Sequence, residues 1–382
     1  MDMKFRATSG QKSKTPASLL LFGLAFALLL ILGAQGTAAN GSGDQDPLDK
    51  ELEPQAYLPL AVSYLAREWT QVGPKPADIE KFYSVAVCGN HILAGSDLGV
   101  HSRRFSSAAN TAWVREQPTI SAAPTVVIFH PDDCTIAYSA SRGYGVYRGE
   151  FTNQGQGGWT WTRVDKDNQL TAARFVAILP SVGNSDSQVI YVAGDFGIRW
   201  LPEPPTTPQT WQSTNVNSQT TSIIADDPSF AVASVWNDGV YIRTSNAGWS
   251  PLDTSQPQDK QIYQVVVSGD MGLAGAQTGA FFKRDGNWTP IDEIGQTAFS
   301  VAWGELGWLA GLRKDGVYIS MDDGLKWLPL NQGLNGVGAE DFQVRDLLGC
   351  PPAHGLCIFA ATTTGIWRWG SYTAEPQGGQ EP

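Results

Sequence analysis

One phrase recurs seven times along the chain: a short apolar strand, a few small or polar residues, then Gly followed by an apolar or aromatic pair. The copies are LAGSDLGVH at 93–101, YSASRGYGVY at 138–147, YVAGDFGIRW at 191–200, VASVWNDGVY at 232–241, LAGAQTGAFF at 273–282, LAGLRKDGVY at 309–318 and FAATTTGIWR at 359–368. Their anchor glycines, Gly99, Gly145, Gly197, Gly239, Gly279, Gly316 and Gly365, stand 37 to 52 residues apart. A strand-and-turn period near 40 predicts an all-β chain folded as a β-propeller. Each copy is one sheet that buries its faces only by stacking on the next.

A tryptophan follows six of the seven phrases after a polar turn: Trp113, Trp161, Trp211, Trp249, Trp288 and Trp327. The last phrase lacks its follower, and the missing one stands ahead of the first phrase, at Trp69. The count therefore predicts a single seven-bladed propeller of four-stranded antiparallel blades. The N-terminal strand supplies the outer strand of the last blade, which leaves no open edge where the ring closes. A further apolar segment precedes each phrase: YSVAV from Tyr83, PTVVI from Pro124, RFVAI from Arg174, TSIIA from Thr221, YQVVV from Tyr263, FSVAW from Phe299 and RDLLG from Arg345. Near-continuous runs rich in Val and Ile suit strands covered on both faces. The strands of a blade are thus a (YSVAV type), b (LAGS type), c (GVY type) and d (Trp type).

Outside residues 67–371 the composition changes. Residues 1–39 open with Lys4, Arg6, Lys12 and Lys14, continue with an uncharged apolar run over 19–33, and end in small residues around Thr37, Ala38 and Ala39. This is the pattern of an export signal. The run is short for a membrane span, and an uncleaved anchor is the second reading. Either one places the folded part outside the cytoplasm, secreted or anchored. Residues 40–66 read as an acidic flexible linker and 372–382 as a disordered Gly/Pro/Gln-rich tail. The whole chain carries a formal charge of −11, and loss of the basic leader makes it more negative. That balance argues against nucleic acid and anionic lipid as partners, so any membrane contact is confined to the leader. Four cysteines in an oxidising compartment allow disulfides. Cys350 and Cys357 stand at the two ends of one a–b hairpin and are expected to pair. Cys88 and Cys134 occupy comparable positions in blades one and two, and their pairing is left open. The cysteine spacing fits no zinc site, and no metal or cofactor is expected.

Residues 320–327 read Ser-Met-Asp-Asp-Gly-Leu-Lys-Trp, the pattern S-x-D-x-G-x-x-W. With GVYIS before it and LNQGL at 330–334 after it, this segment resembles the exported bacterial BNR/Asp-box propellers. That group includes sialidases, sortilin-type receptors, xyloglucan-cleaving hydrolases and photosystem II assembly-factor-like proteins. The resemblance implies a structural Asp-box, in which Ser320, Asp322, Gly324 and Trp327 shape a turn between strands c and d. It is informative about fold and not about activity.

Catalytic readings fare poorly. The chain lacks the F/Y-R-I-P segment and the arginine triad expected of a sialidase, and its blades number seven where a sialidase has six. Xyloglucan hydrolases resemble paired propellers, and this chain holds one. Asp97, Asp195, Asp238 and Asp315 sit in the b–c turns, where Asp before Gly is ordinary turn chemistry. The histidines, His91, His101, His130 and His354, are scattered, so no Ser-His-Asp set can be assembled. A surface for binding is left. The first residues of the a strands ring one mouth of the central channel, and Tyr83, Arg174, Tyr263, Phe299 and Arg345 are the candidate ligand contacts, since aromatic and Arg side chains dominate recognition sites. The same side chains could instead plug the channel. The sequence reading is a non-enzymatic, extracytoplasmic module that binds a protein or glycan. The alternative is a polysaccharide-active hydrolase or lyase, whose signature is a pair of carboxylates about 5–10 Å apart in a groove.

Overall fold

The computed structural model describes residues 67–73, 81–105, 112–116, 125–154, 158–165, 170–178, 188–203, 210–227, 230–253, 255–350 and 355–372. The leader, the acidic linker, the tail after Tyr372, and Pro124 and His354 lie outside the described residues. Within them stand seven four-stranded antiparallel sheets. Blade one is Phe82–Cys88, His91–Ser96, Gly99–Arg104 and Val114–Arg115, and blades two to six repeat that a-b-c-d order. Blade seven takes three strands from the C-terminal repeat, Val344–Gly349, Cys357–Thr362 and Gly365–Gly370, and its fourth from Trp69–Gln71. The a strand of each blade packs on the a strand of the next, and Val344–Gly349 packs on Phe82–Cys88 to complete the circle.

The b strands form the driest layer. His91–Ser96, Val189–Gly194 and Cys357–Thr362 are buried at every residue. Small residues in this layer let neighbouring blades approach. A Cβ on Gly275 would sit 2.8 Å from the Ala298 carbonyl of the next blade, and one on Gly311 would strike Ser300 and Val344. The outer tryptophans fill the wedges between blades: Trp69, Trp161, Trp211, Trp249, Trp288 and Trp327 are all buried. In blades one, three and six the tryptophan stands one residue ahead of a two-residue d strand, not inside it. Packing fixes the ring, and the ladder forms only beyond it.

The closing strand is held from two sides. Trp69 pairs with Trp369 and Gln71 with Trp367 in the antiparallel register. On its other side the Trp69 amide donates to the Gln332 carbonyl (2.9 Å), and its indole Nε1 donates to the Leu330 carbonyl (2.5 Å). The segment 330–334 can lie this close because Gly333 has φ +83° and a Cβ there would meet the Trp69 carbonyl at 2.6 Å. The turn at 320–327 is equally well tied. Asp322 Oδ1 accepts from Ser320 Oγ and from the Lys326 amide, both at 2.9 Å, and Ser320 Oγ accepts from the Gly324 amide at 2.8 Å. Gly324 at φ +81° faces the Phe282 ring, which leaves no room for a side chain.

Both cysteine pairs are bridged. Cys350–Cys357 closes the a–b hairpin of blade seven, as expected. Cys88–Cys134, left open by the sequence, joins blade one to blade two. Tyr372, read as the start of the tail, packs on Phe105 and Phe359 and donates its hydroxyl to the Gly89 carbonyl.

Two predictions follow from this closure. A chain beginning at Lys81 lacks the Trp69 strand. It leaves the outer edge of blade seven unpaired and gives up a buried Trp, for which truncation alone costs about 3–5 kcal/mol. Compared with a chain beginning at Glu51, it should melt far lower and associate edge to edge in light scattering. Matching melting temperatures with both chains monomeric would contradict the closure. The two disulfides close loops of different length, with separations of 46 and 7 residues. Chain entropy then assigns about 4 kcal/mol to Cys88–Cys134 and about 2–3 kcal/mol to Cys350–Cys357. Paired Cys→Ser variants under denaturant should rank in that order. The opposite ranking would show that native contacts, not loop closure, set their worth.

Candidate functional site

Six of the seven a strands contain one residue too many for their ladder. In blade one Phe82 pairs with Ser96 and Ser84 with Gly95, which leaves Tyr83 bulged between them. The same irregularity isolates Arg174, Thr221, Tyr263, Phe299 and Arg345. Blade two pairs regularly from Thr125 and carries its irregularity at the other end of the strand. A bulge re-aims the extra side chain. Here six of them line one mouth of the central cavity, and all five sequence-derived candidates are among them.

The next position along the strand has the complementary task. An innermost strand pairs on one edge only, and the backbone groups on its other edge need partners. Side chains of the neighbouring blade supply them. Ser84 Oγ accepts from the Val127 amide (3.0 Å), Ser222 Oγ from Val265 (3.3 Å), Gln264 Oε1 from Val301 (3.0 Å) and Asp346 Oδ2 from Val85 (3.0 Å). Ser300 Oγ donates to the Val344 carbonyl at 3.1 Å. These straps cross five of the seven seams between blades.

The mouth has two halves. On one side Trp236, Tyr263 and Phe299 form a chain of edge-to-face contacts, with centroids 5.4 and 4.9 Å apart. The Arg345 guanidinium lies 4.3 Å from the Phe299 centroid and 5.6 Å from that of Tyr83. Such stacking is worth about 0.5–2 kcal/mol. Arg345 has no carboxylate or hydrogen-bond acceptor among the described residues, and its Nε is buried and unpartnered. Burial lowers its pKa, an effect that nearby Tyr83 and Tyr263 partly offset. Burial likewise raises the Tyr83 and Tyr263 phenols, with Arg345 opposing in both cases. On the other side Arg174 and Arg142 share Asp195, at 2.8 and 3.4 Å.

The other carboxylates of this rim are occupied. Asp97 accepts from the Lys81 amide, Asp238 from the Tyr241 hydroxyl, Asp259 from Thr278 and Asp315 from Gln296. Behind the mouth the channel keeps a cavity of about 900 Å³. The bulged side chains form a collar around this end of the cavity. At the far end the cavity reaches His130 and Trp303, the latter 51% exposed. Asp346 is the sole acidic residue among the described residues lining the cavity.

Sequence reasoning located the mouth residues but missed Trp236, which reaches the collar from the turn after a b strand. It also missed the strapping role of Ser84, Ser222, Gln264, Ser300 and Asp346. A polar residue recurring second in an otherwise apolar a strand was the available signal.

No protein-family model matches the chain, and no curated protein does. Among solved structures the chain is similar to the extracellular domain assigned to a hybrid two-component system of B. thetaiotaomicron, with a TM-score of 0.56 at 14% identity. A second structure of that domain, described as part of a one-component system, gives a TM-score of 0.56 at 12% identity. Both alignments cover 79% of this chain and 39% of the other, so the chain spans about two fifths of that domain's length. In all, 780 solved chains match, and the likeness identifies an architecture, not an activity.

Asp346 generates a prediction of its own. Its carboxyl is partly buried in the seam between blades seven and one, and desolvation there pushes it up to about 7, against the pull of the Val85 and Leu347 amides. A folded-state pKa raised above the unfolded one stabilises the fold at low pH. That contribution is present below roughly pH 4, the ordinary carboxyl value, and is lost as pH rises through about 7. Asp346→Asn keeps an acceptor and removes the titration. Its melting temperature relative to wild type should rise between pH 4 and pH 8. A pH-independent difference would contradict the assignment.

Proposed function

We propose that the propeller is a non-catalytic binding module working outside the cytoplasm, with the arginine–aromatic mouth as the seat for a protein or glycan that presents an anionic group. The observation that carries this reading is Arg345, a guanidinium held over Phe299 and Tyr83 with no protein anion to neutralise it. An arginine already positioned and partly desolvated loses little freedom on meeting a ligand, which favours recognition. The two disulfides support an oxidising location, and the extracellular domains of similar architecture agree with it. The hydrolase or lyase alternative requires a second carboxylate beside Asp346, and the described lining offers none.

In this reading the chain is a member of the BNR/Asp-box propeller group. Ser320, Asp322, Gly324 and Trp327 fold its c–d turn and take no part in binding. The leader exports the propeller or anchors it.

The test is equilibrium binding of wild type, Arg174→Ala and Arg345→Ala to a glycan array and to purified exported proteins. Losing a desolvated arginine anchor costs about 2 kcal/mol or more, so the cognate ligand should bind Arg345→Ala at least tenfold more weakly. Arg174→Ala should lose less, because the Arg174 charge is already paired with Asp195. A ligand whose affinity is unchanged in both variants would move the site elsewhere. Turnover of a bound glycan would reinstate the enzyme.

A further inference from the structure

The wall behind the collar differs from the collar. Below the arginines the cavity is lined by Val126, Ile128, Phe175, Ile224, Val266 and Leu348, all but Val266 only partly buried. Several of its polar side chains are already engaged. Ser84, Gln264 and Asp346 accept backbone amides of the next blade, and Thr221 Oγ1 is bonded to Ser234 Oγ at 2.9 Å. His130 at the far end meets the Gln188 amide oxygen at 2.6 Å. A sugar entering this tube would lose water without finding equivalent hydrogen bonds, and unmet polar groups are costly. An apolar chain would lose nothing of that kind. At the entrance the order reverses: the acids of the rim are tied, and Arg345 is a cation left without an anion, with exposed Arg313 close enough to depress its pKa further. The volume of about 900 Å³ falls within the roughly 300–1,000 Å³ of small-molecule sites.

We propose that the channel takes an acid carried on an apolar body, with the acid group at Arg345 in the collar and the apolar body against the tube wall below it. This rests on the mouth being the seat of an anionic group, and it extends the carrier of that group from a protein or glycan to a small amphiphile. A free amphiphilic acid is the simplest carrier of that chemistry.

The experiment is calorimetric titration of the folded chain with four probes below their micelle-forming concentrations: decanoate, decanol, decyltrimethylammonium and glucuronate. Decanoate should bind at least tenfold more tightly than decanol, the loss expected for one desolvated arginine anchor. Decyltrimethylammonium and glucuronate should bind more weakly still. Arg345→Gln should bring decanoate down to the level of decanol and leave decanol unchanged. Arg313→Gln, at an exposed position outside the packing, should reduce the preference for decanoate by a smaller factor and without risk to the fold. Equal binding of decanoate and decanol would overturn the acid requirement, and so would a preference for decanoate that survives both substitutions. Glucuronate binding as tightly as decanoate would overturn the apolar requirement. In each of these cases the mouth remains a seat. Failure of every probe to bind would overturn the inference and count against the seat as well.

Discussion

Seven sheet edges face one axis in this molecule, and none of them can pair with another strand. Everything distinctive about the channel answers that constraint. An exposed row of backbone donors and acceptors is an unstable and adhesive surface, so the inner strands need partners that are not strands. Ser84, Ser222, Gln264 and Asp346 supply them by reaching across to the amide of the following blade. Each strap both satisfies an edge and stitches two blades together. The circle of sheets is thus closed twice, at the rim by the Trp69 strand and at the axis by side chains.

The bulges follow from the same geometry. The strap residue has to point along the ring toward the next blade, and the extra residue just before it sets that direction while aiming its own side chain into the mouth. Tyr83, Arg174, Thr221, Tyr263, Phe299 and Arg345 are therefore collected at one end of the axis by backbone arrangement, before any question of ligand arises. Their chemistry is free to vary, because the ladder does not use them. A rigid frame presenting unconstrained side chains is what a recognition surface requires, and in this chain those six positions hold three aromatic rings, two arginines and a threonine.

The ring itself was legible because its marks are local. A glycine with positive φ must stand between strands b and c, and Gly99, Gly145, Gly197, Gly239, Gly279, Gly316 and Gly365 all do. The tryptophan count located the closing strand because each wedge between blades needs one large side chain. The mouth residues were found by alignment alone, without knowledge that a bulge puts them there, since one surplus residue leaves no trace in a run such as YSVAV. Three features depend on contacts the sequence separates too widely to display. Trp69 docks on Leu330 across 261 positions, Cys88 meets Cys134 only across a blade seam, and Trp236 enters the collar from another turn.

Amide hydrogen exchange tests the central claim most directly, since it reads the inner edges one group at a time. The amides of Val85, Val127, Val265 and Val301 point away from their own ladders, and side chains alone protect them. They should exchange as slowly as the buried ladder amides of the b strands. Ser84→Ala should release Val127 and leave Val265 and Val301 protected. Rapid exchange of all four in the wild-type chain would mean that the straps do not hold the axis, and the collar built on them would lose its frame.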